Sequence, residues 1–115
     1  MIRDAIHRSF FAGLLIPIIL KLLQEKDRLY GYQMREVVLN LTGGGLNIRE
    51  GSLYPALHKL ERQGLVVHEY EAVNSRMRKY YRLTAEGERA ASTRVEEARH
   101  LLHNLGLVLD TEVVE

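Results

Sequence analysis

Residues 51–66 read GSLYPALHKLERQGLV, and their reading decides the fold. Leu53, Ala56, Leu57 and Leu60 recur at i, i+3, i+4 and i+7, so a helix over about residues 50–63 carries them on one inward stripe. Gly64 is the stop expected there, because glycine takes the left-handed conformation of a helix C-terminus at no steric cost. With the stripe inward, Gly51, Pro55, His58 and Arg62 point outward, flanked by Ser52, Tyr54 and Lys59.

Downstream the period changes. Over residues 65–71 and again over 78–83, apolar and polar residues roughly alternate, as strands do. The polar connection 72–77 between them contains Asn74 and Ser75, so the pair reads as an antiparallel β-hairpin. Tyr80 and Tyr81 are adjacent, so a strand sends them to opposite faces, one to the core and one to the surface. Thr84 is a good N-cap for a long last helix, with Glu86 and Glu88 near its positive end.

Upstream, Ile18, Ile19, Leu22 and Leu23 lie at helical spacing behind Pro17, which suits a first helical turn. Residues 26–31 read as a loop. A second helix is expected from about Tyr32 to Leu41, with Met34, Val37, Val38 and Leu41 on one face, ended by Gly43, Gly44 and Gly45. Helix, helix, helix, hairpin, helix is the order of a winged helix-turn-helix: a mainly α fold with a small antiparallel β-hairpin and a C-terminal dimerisation helix. Residues 1–83 form the winged unit and residues 84–115 the last helix and tail, together one compact body.

At 115 residues, 46% hydrophobic and 27% charged, the chain has material for one core. It has no cysteine, which excludes disulfides, thiolate metal sites and cysteine catalysis. The apolar run 10–23 is interrupted by Pro17 and Lys21 and is too short to span a bilayer. Arg3 and Arg8 precede it as in a secretory signal, but Asp4 sits among them and no small-residue cleavage site follows Leu23. The run reads as core, with no membrane partner and a cytoplasmic location. The net charge of +1 conceals an asymmetry, +5 over residues 1–83 and −4 over residues 84–115. The first part suits a polyanion and the last does not.

The run 51–66, followed by RKYYRLTAEG at 78–87, closely resembles the PadR family of bacterial transcriptional regulators. GLLIPIILKLL at 13–23 and YGYQM at 30–34 match in the same order, so the resemblance covers roughly residues 13–87. It implies a homodimeric winged-helix repressor, bound to an inverted-repeat operator in double-stranded DNA near its own or an adjacent gene. It also implies release by a small hydrophobic effector, often aromatic or cationic. The sequence departs from the family at the wing tip. The usual Gly and Pro are replaced by Asn74-Ser75-Arg76-Met77-Arg78-Lys79, which keeps the basic character and changes the turn chemistry.

Recognition helices enter the major groove by their N-terminal half, so Ser52, Tyr54 and His58 are placed to meet DNA. Gly51 permits close backbone approach, and Lys59 and Arg62 reach the phosphate backbone rather than bases. The resemblance places Tyr54 at the DNA backbone. The blander alternative for this surface is a solvated helix face. Arg76, Arg78 and Lys79 make the wing basic, with no acid between Ala72 and Arg82, and suit the minor groove or flanking phosphates. Arg82 shares a strand face with Tyr80 and is set aside as an edge-blunting charge. Tyr30 and Tyr32 flank Gly31 at the second helix's start, where the Tyr32 hydroxyl can meet a phosphate.

In the last helix Ala91, Val95, Ala98, Leu102, Leu105 and Leu109 follow a 4-3-4-3-4 spacing, the a/d seam of a coiled coil. The functional reading is a dimer interface, the alternative packing on the chain's own first helix, and one wide stripe can serve both. An effector pocket between protomers is expected to use Leu15, Ala98, Leu102 and Leu105. His100 and His103 are spaced i, i+3, but no third ligand accompanies them, so no metal is assigned. The glycines at 43–45 lack a following Gly-Lys-Ser/Thr, and Ser52 lacks the second glycine of a nucleophile elbow. No enzyme activity and no cofactor is expected. The main rival is an interaction module that has kept the scaffold and lost DNA binding.

Overall fold

A computed structural model describes residues 13–114. Residues 1–12 and 115, among them the basic residues Arg3 and Arg8, lie outside them. Helix α1 (Leu15–Glu25) carries Pro17 in its first turn, where the missing N–H breaks no helical bond. It buries Leu15, Ile19, Leu20, Leu22 and Leu23. A two-residue strand β1 (Leu29–Tyr30) leads directly into α2 (Gly31–Leu41), which buries Met34 and Val38. Leu41, expected on the same face, is exposed, because α2's last turn runs past the core before the glycines reverse the chain.

Helix α3 (Glu50–Arg62) buries Leu53, Leu57 and Leu60, the inward stripe expected of it. Its end is a Schellman closure: Gly64 at φ +74° lets the Leu65 N–H reach the Leu60 carbonyl at 3.0 Å and its own N–H reach Glu61 at 3.0 Å. Arg35 of α2 donates through Nε to the Ile48 carbonyl at 2.7 Å, which fixes the approach of the chain to α3.

The hairpin is longer and tighter than the alternation suggests. Strand β2 (Val66–Val73) pairs antiparallel with β3 (Arg76–Leu83), leaving only Asn74 and Ser75 in the turn. Both have positive φ, 50° and 66°, the pattern of a type I′ turn whose twist matches that of the strands. Residues 26–31, read as a loop, contain β1, which pairs with β3 through Leu29↔Tyr81 and Tyr30↔Tyr80. The sheet therefore has three strands in the order β1-β3-β2.

Tyr80 and Tyr81 do face opposite sides, yet both are buried. Tyr81 enters the core, while Tyr80 is covered from outside by Arg28, whose guanidinium lies 4.0 Å over its ring, and by the edge of Tyr30. Burial pushes the Tyr81 phenol above its ordinary pKa.

Helix α4 (Ala85–Leu109) starts at a dense junction. Thr84 Oγ1 accepts from the Gly87 N–H at 3.0 Å and donates to the Gly64 carbonyl at 2.7 Å, and the Thr84 N–H donates to the Leu65 carbonyl at 3.1 Å. A Cβ on Gly87 would stand 1.9 Å from the Leu65 carbonyl oxygen, so no other residue fits there without movement. The first half of α4 packs on the domain through Ala91, with Val95 against the same cluster. In its second half the apolar residues Leu101, Leu102, Leu105, Leu107, Val108 and Leu109 are exposed. Among the described residues, no helix is long and apolar enough to cross a membrane.

Candidate nucleic-acid interface

Three elements meet at the start of α2. Tyr54 of α3 projects across to Gly31: a Cβ there would lie 2.6 Å from the Tyr54 hydroxyl and 3.0 Å from its Cζ. Gly31 has no positive φ to demand a glycine, so the close ring is what requires it. From the other side Arg78 of β3 places its guanidinium 4.6 Å over the ring of Tyr30, the residue preceding α2. The first turn of α2 has backbone N–H groups without intrahelical partners, and Tyr32 stands beside them, 59% exposed. The Gln33 side chain accepts from the Tyr30 N–H at 3.1 Å and steadies the turn.

On α3, Gly51, Tyr54, Pro55, His58, Lys59 and Arg62 are exposed and Ser52 is half-buried. Pro55 lies inside the helix and has no N–H to give the Gly51 carbonyl.

The wing cations separate by face. Lys79 shares the inner face with Tyr81, its Nζ 5.5 Å from the Tyr81 ring centre and 6.0 Å from that of Tyr70. Arg78 and Arg76 belong to the opposite face, with Arg76 exposed beside the turn. Arg82, set aside on sequence grounds, pairs with Glu69 at 2.5 Å. The hydrogen bond from Arg82, with Arg28 beside it, holds the Glu69 carboxyl below the usual carboxylate range. On the inner face Glu61 of α3 hydrogen-bonds His68 of β2, tying α3 to the wing base.

Along α4 the seam residues change environment. Ala91 is buried, Val95 and Ala98 are half-buried, and Leu102 and Leu105 are 50% and 47% exposed, with Leu109 more exposed still. Leu15 is taken up by the core, so the four residues expected to line an effector pocket lie at different depths within one protomer. Among the described residues no group of three or more His, Cys, Asp or Glu side chains could hold a metal ion, and His100 and His103 are exposed.

A three-stranded sheet with a basic hairpin beside an exposed helix defines a winged helix-turn-helix DNA-binding protein. Residues 19–93 match the Transcriptional regulator PadR-like family, and the chain belongs to that family. It is 38% identical to an uncharacterized protein of Lysinibacillus sphaericus over 98 residues, 84% of this chain and 85% of that one. It is 45% identical to the transcriptional regulator Rv3488 of Mycobacterium tuberculosis over 65 residues, 56% of this chain and 57% of the relative. Among solved structures, a PadR family transcriptional regulator from Eggerthella lenta superposes with a TM-score of 0.71 at 31% identity, covering 96% of this chain and 95% of that one. The protein is thus a DNA-binding transcriptional regulator and not an enzyme.

The residues that sequence reasoning missed are Arg28 and Gly31. Gly31 sits in the YGYQM run, but only the Tyr54 ring against it reveals its task. Arg28 lies in the segment read as a loop and reaches its partners across more than forty residues.

Proposed function

We propose that the protein is a homodimeric, ligand-responsive repressor acting in the cytoplasm on an inverted-repeat operator. In this reading Gly51, Ser52, Tyr54 and His58 meet the major groove, with the Tyr54 hydroxyl on a phosphate. Tyr32, Lys59 and Arg62 contact the backbone, while Arg76, Arg78 and Lys79 contact phosphates or the minor groove. The observation that carries it is the convergence of Tyr32, Tyr54 and Arg78 around the start of α2. Dimerisation uses Ala91, Val95, Ala98, Leu102, Leu105 and Leu109. Support comes from the exposed leucines of α4, which continue the buried stripe beyond the chain's own core. A hydrophobic or aromatic effector between protomers, against Leu15, Ala98, Leu102 and Leu105, would change the separation of the two α3 helices and so the operator affinity.

Fluorescence anisotropy with the DNA upstream of the protein's own gene, taken as a function of salt, tests the reading. The expected result is affinity that falls steeply with salt, by about 0.9 log unit per log unit for each phosphate contact. Absence of salt-dependent binding even at low salt would refute it.

A further inference from the structure

Residues 70–79 of the wing run past β1, whose pairing stops at Tyr80. They form a two-stranded ribbon, an element of marginal stability on its own in water. What reaches the ribbon's outer face is side-chain contact from the segment around β1. Arg28, just ahead of β1, donates through one guanidinium nitrogen to Glu71 at 2.6 Å and through another to Glu69 at 3.1 Å. Its guanidinium also lies over the Tyr80 ring. Tyr30 receives Arg78 on its face and meets the Tyr80 ring edge-on at 5.3 Å between centres. Arg82 closes the network on Glu69.

We infer that Arg28 is a positioning residue for DNA binding: it sets the angle at which the wing leaves the body, and so where Arg76 and Lys79 stand relative to α3. The inference rests on the DNA-binding surface proposed above. A planar fork lying over a fixed ring and shared between two carboxylates has one orientation, which a flexible ammonium would not impose. Glu69 lies where all three strands are present and Glu71 lies beyond them, so Arg28 spans the point at which the ribbon leaves the sheet. Partly exposed ion pairs add little to global stability. The effect of the brace therefore falls on the local opening of the ribbon rather than on unfolding of the domain.

The test compares wild type, Arg28→Gln, Glu71→Gln, the wing variant Arg76→Ala/Lys79→Ala and that wing variant combined with Arg28→Gln. Hydrogen exchange is followed across residues 70–79 in the free protein, and salt-dependent anisotropy is measured with the upstream DNA. Both brace variants are expected to speed exchange in 70–79 by about tenfold while leaving α1 and α3 unchanged. Arg28→Gln is expected to flatten the salt slope as the wing variant does, by on the order of two per protomer, and to add nothing on top of it. Unchanged exchange in both variants would overturn the inference. So would a slope loss additive to that of the wing variant, which would make Arg28 a phosphate ligand itself. A wild-type chain without DNA binding would sink the functional reading alone, because exchange still decides whether Arg28 holds the wing.

Discussion

Replacing Gly31 by alanine separates folding from DNA binding. The new Cβ would lie 2.6 Å from the Tyr54 hydroxyl, against ordinary contact at 3.4 Å, so that hydroxyl must retreat by about 0.8 Å. Tyr54 is 37% exposed, and the crowded atoms are the far end of a side chain that can swing outward. The fold therefore loses little, and alanine's better helix propensity offsets part of that. DNA binding is less forgiving. A hydroxyl on a charged oxygen bonds at about 2.6 Å, and moving it by most of an ångström takes it out of range. A hydrogen bond to a charged group is worth about 1.5 kcal/mol at the low end, so two half-sites lose about 3 kcal/mol, roughly a hundredfold in affinity. Thermal unfolding should shift by no more than about 2 °C, while anisotropy with the upstream DNA should show the full loss. In a Tyr54→Phe background the hydroxyl is already gone, and Gly31→Ala should cost almost nothing further. An equal loss in both backgrounds, or unchanged affinity in the first, would refute the reasoning.

Gly87→Ala acts oppositely, because the obstructing atom is a backbone carbonyl 1.9 Å away that cannot swing aside. It should cost about 3 kcal/mol and lower the melting temperature by roughly 10 °C, measurable by calorimetry. Leu102→Glu with Leu105→Glu tests the α4 seam. Each half-exposed leucine gives about 1 kcal/mol on burial and a symmetric dimer holds four, so sedimentation should show roughly a thousandfold weaker association. Acid tests the wing network. Glu69 titrates below its unfolded value, so its contribution is complete above the ordinary carboxylate pKa of about 4.3 and is lost as pH falls through the lower folded value. Exchange across residues 70–79, corrected for its intrinsic pH dependence, should therefore quicken below about pH 4 in wild type and by a smaller step in Glu69→Gln.

Elements governed by local rules were legible in the sequence. The stripe of α3, its glycine stop and the threonine cap of α4 each depend on residues within a turn or two, and each is found in place. The hairpin was legible as a pair of strands, but its turn was drawn too wide. Asn74-Ser75 lacks the glycine that marks a type I′ turn, although both residues adopt its left-handed conformation. Strand β1 has two residues and no period to detect; only pairing with β3, some fifty residues later, makes it a strand. Tyr80 and Tyr81 take opposite faces as expected, but neither is at the surface: both are buried. What covers Tyr80 is a cation from a distant loop, which no local pattern announces. The same long reach hid Arg28.

The junction of Gly64, Leu65, Thr84 and Gly87 has a mechanical consequence. The end of α3, the start of β2, the end of β3 and the start of α4 are bonded within a few ångströms, with no room for a side chain between them. Such a point is a fulcrum without play. On one side extends α4, 25 residues or about 37 Å of helix, and on the other the wing, eight residues or about 26 Å of strand. A tilt of α4 about this junction would carry the wing with it, so in the dimer proposed above the arm of leucines and the arm with the basic tip would move as one lever.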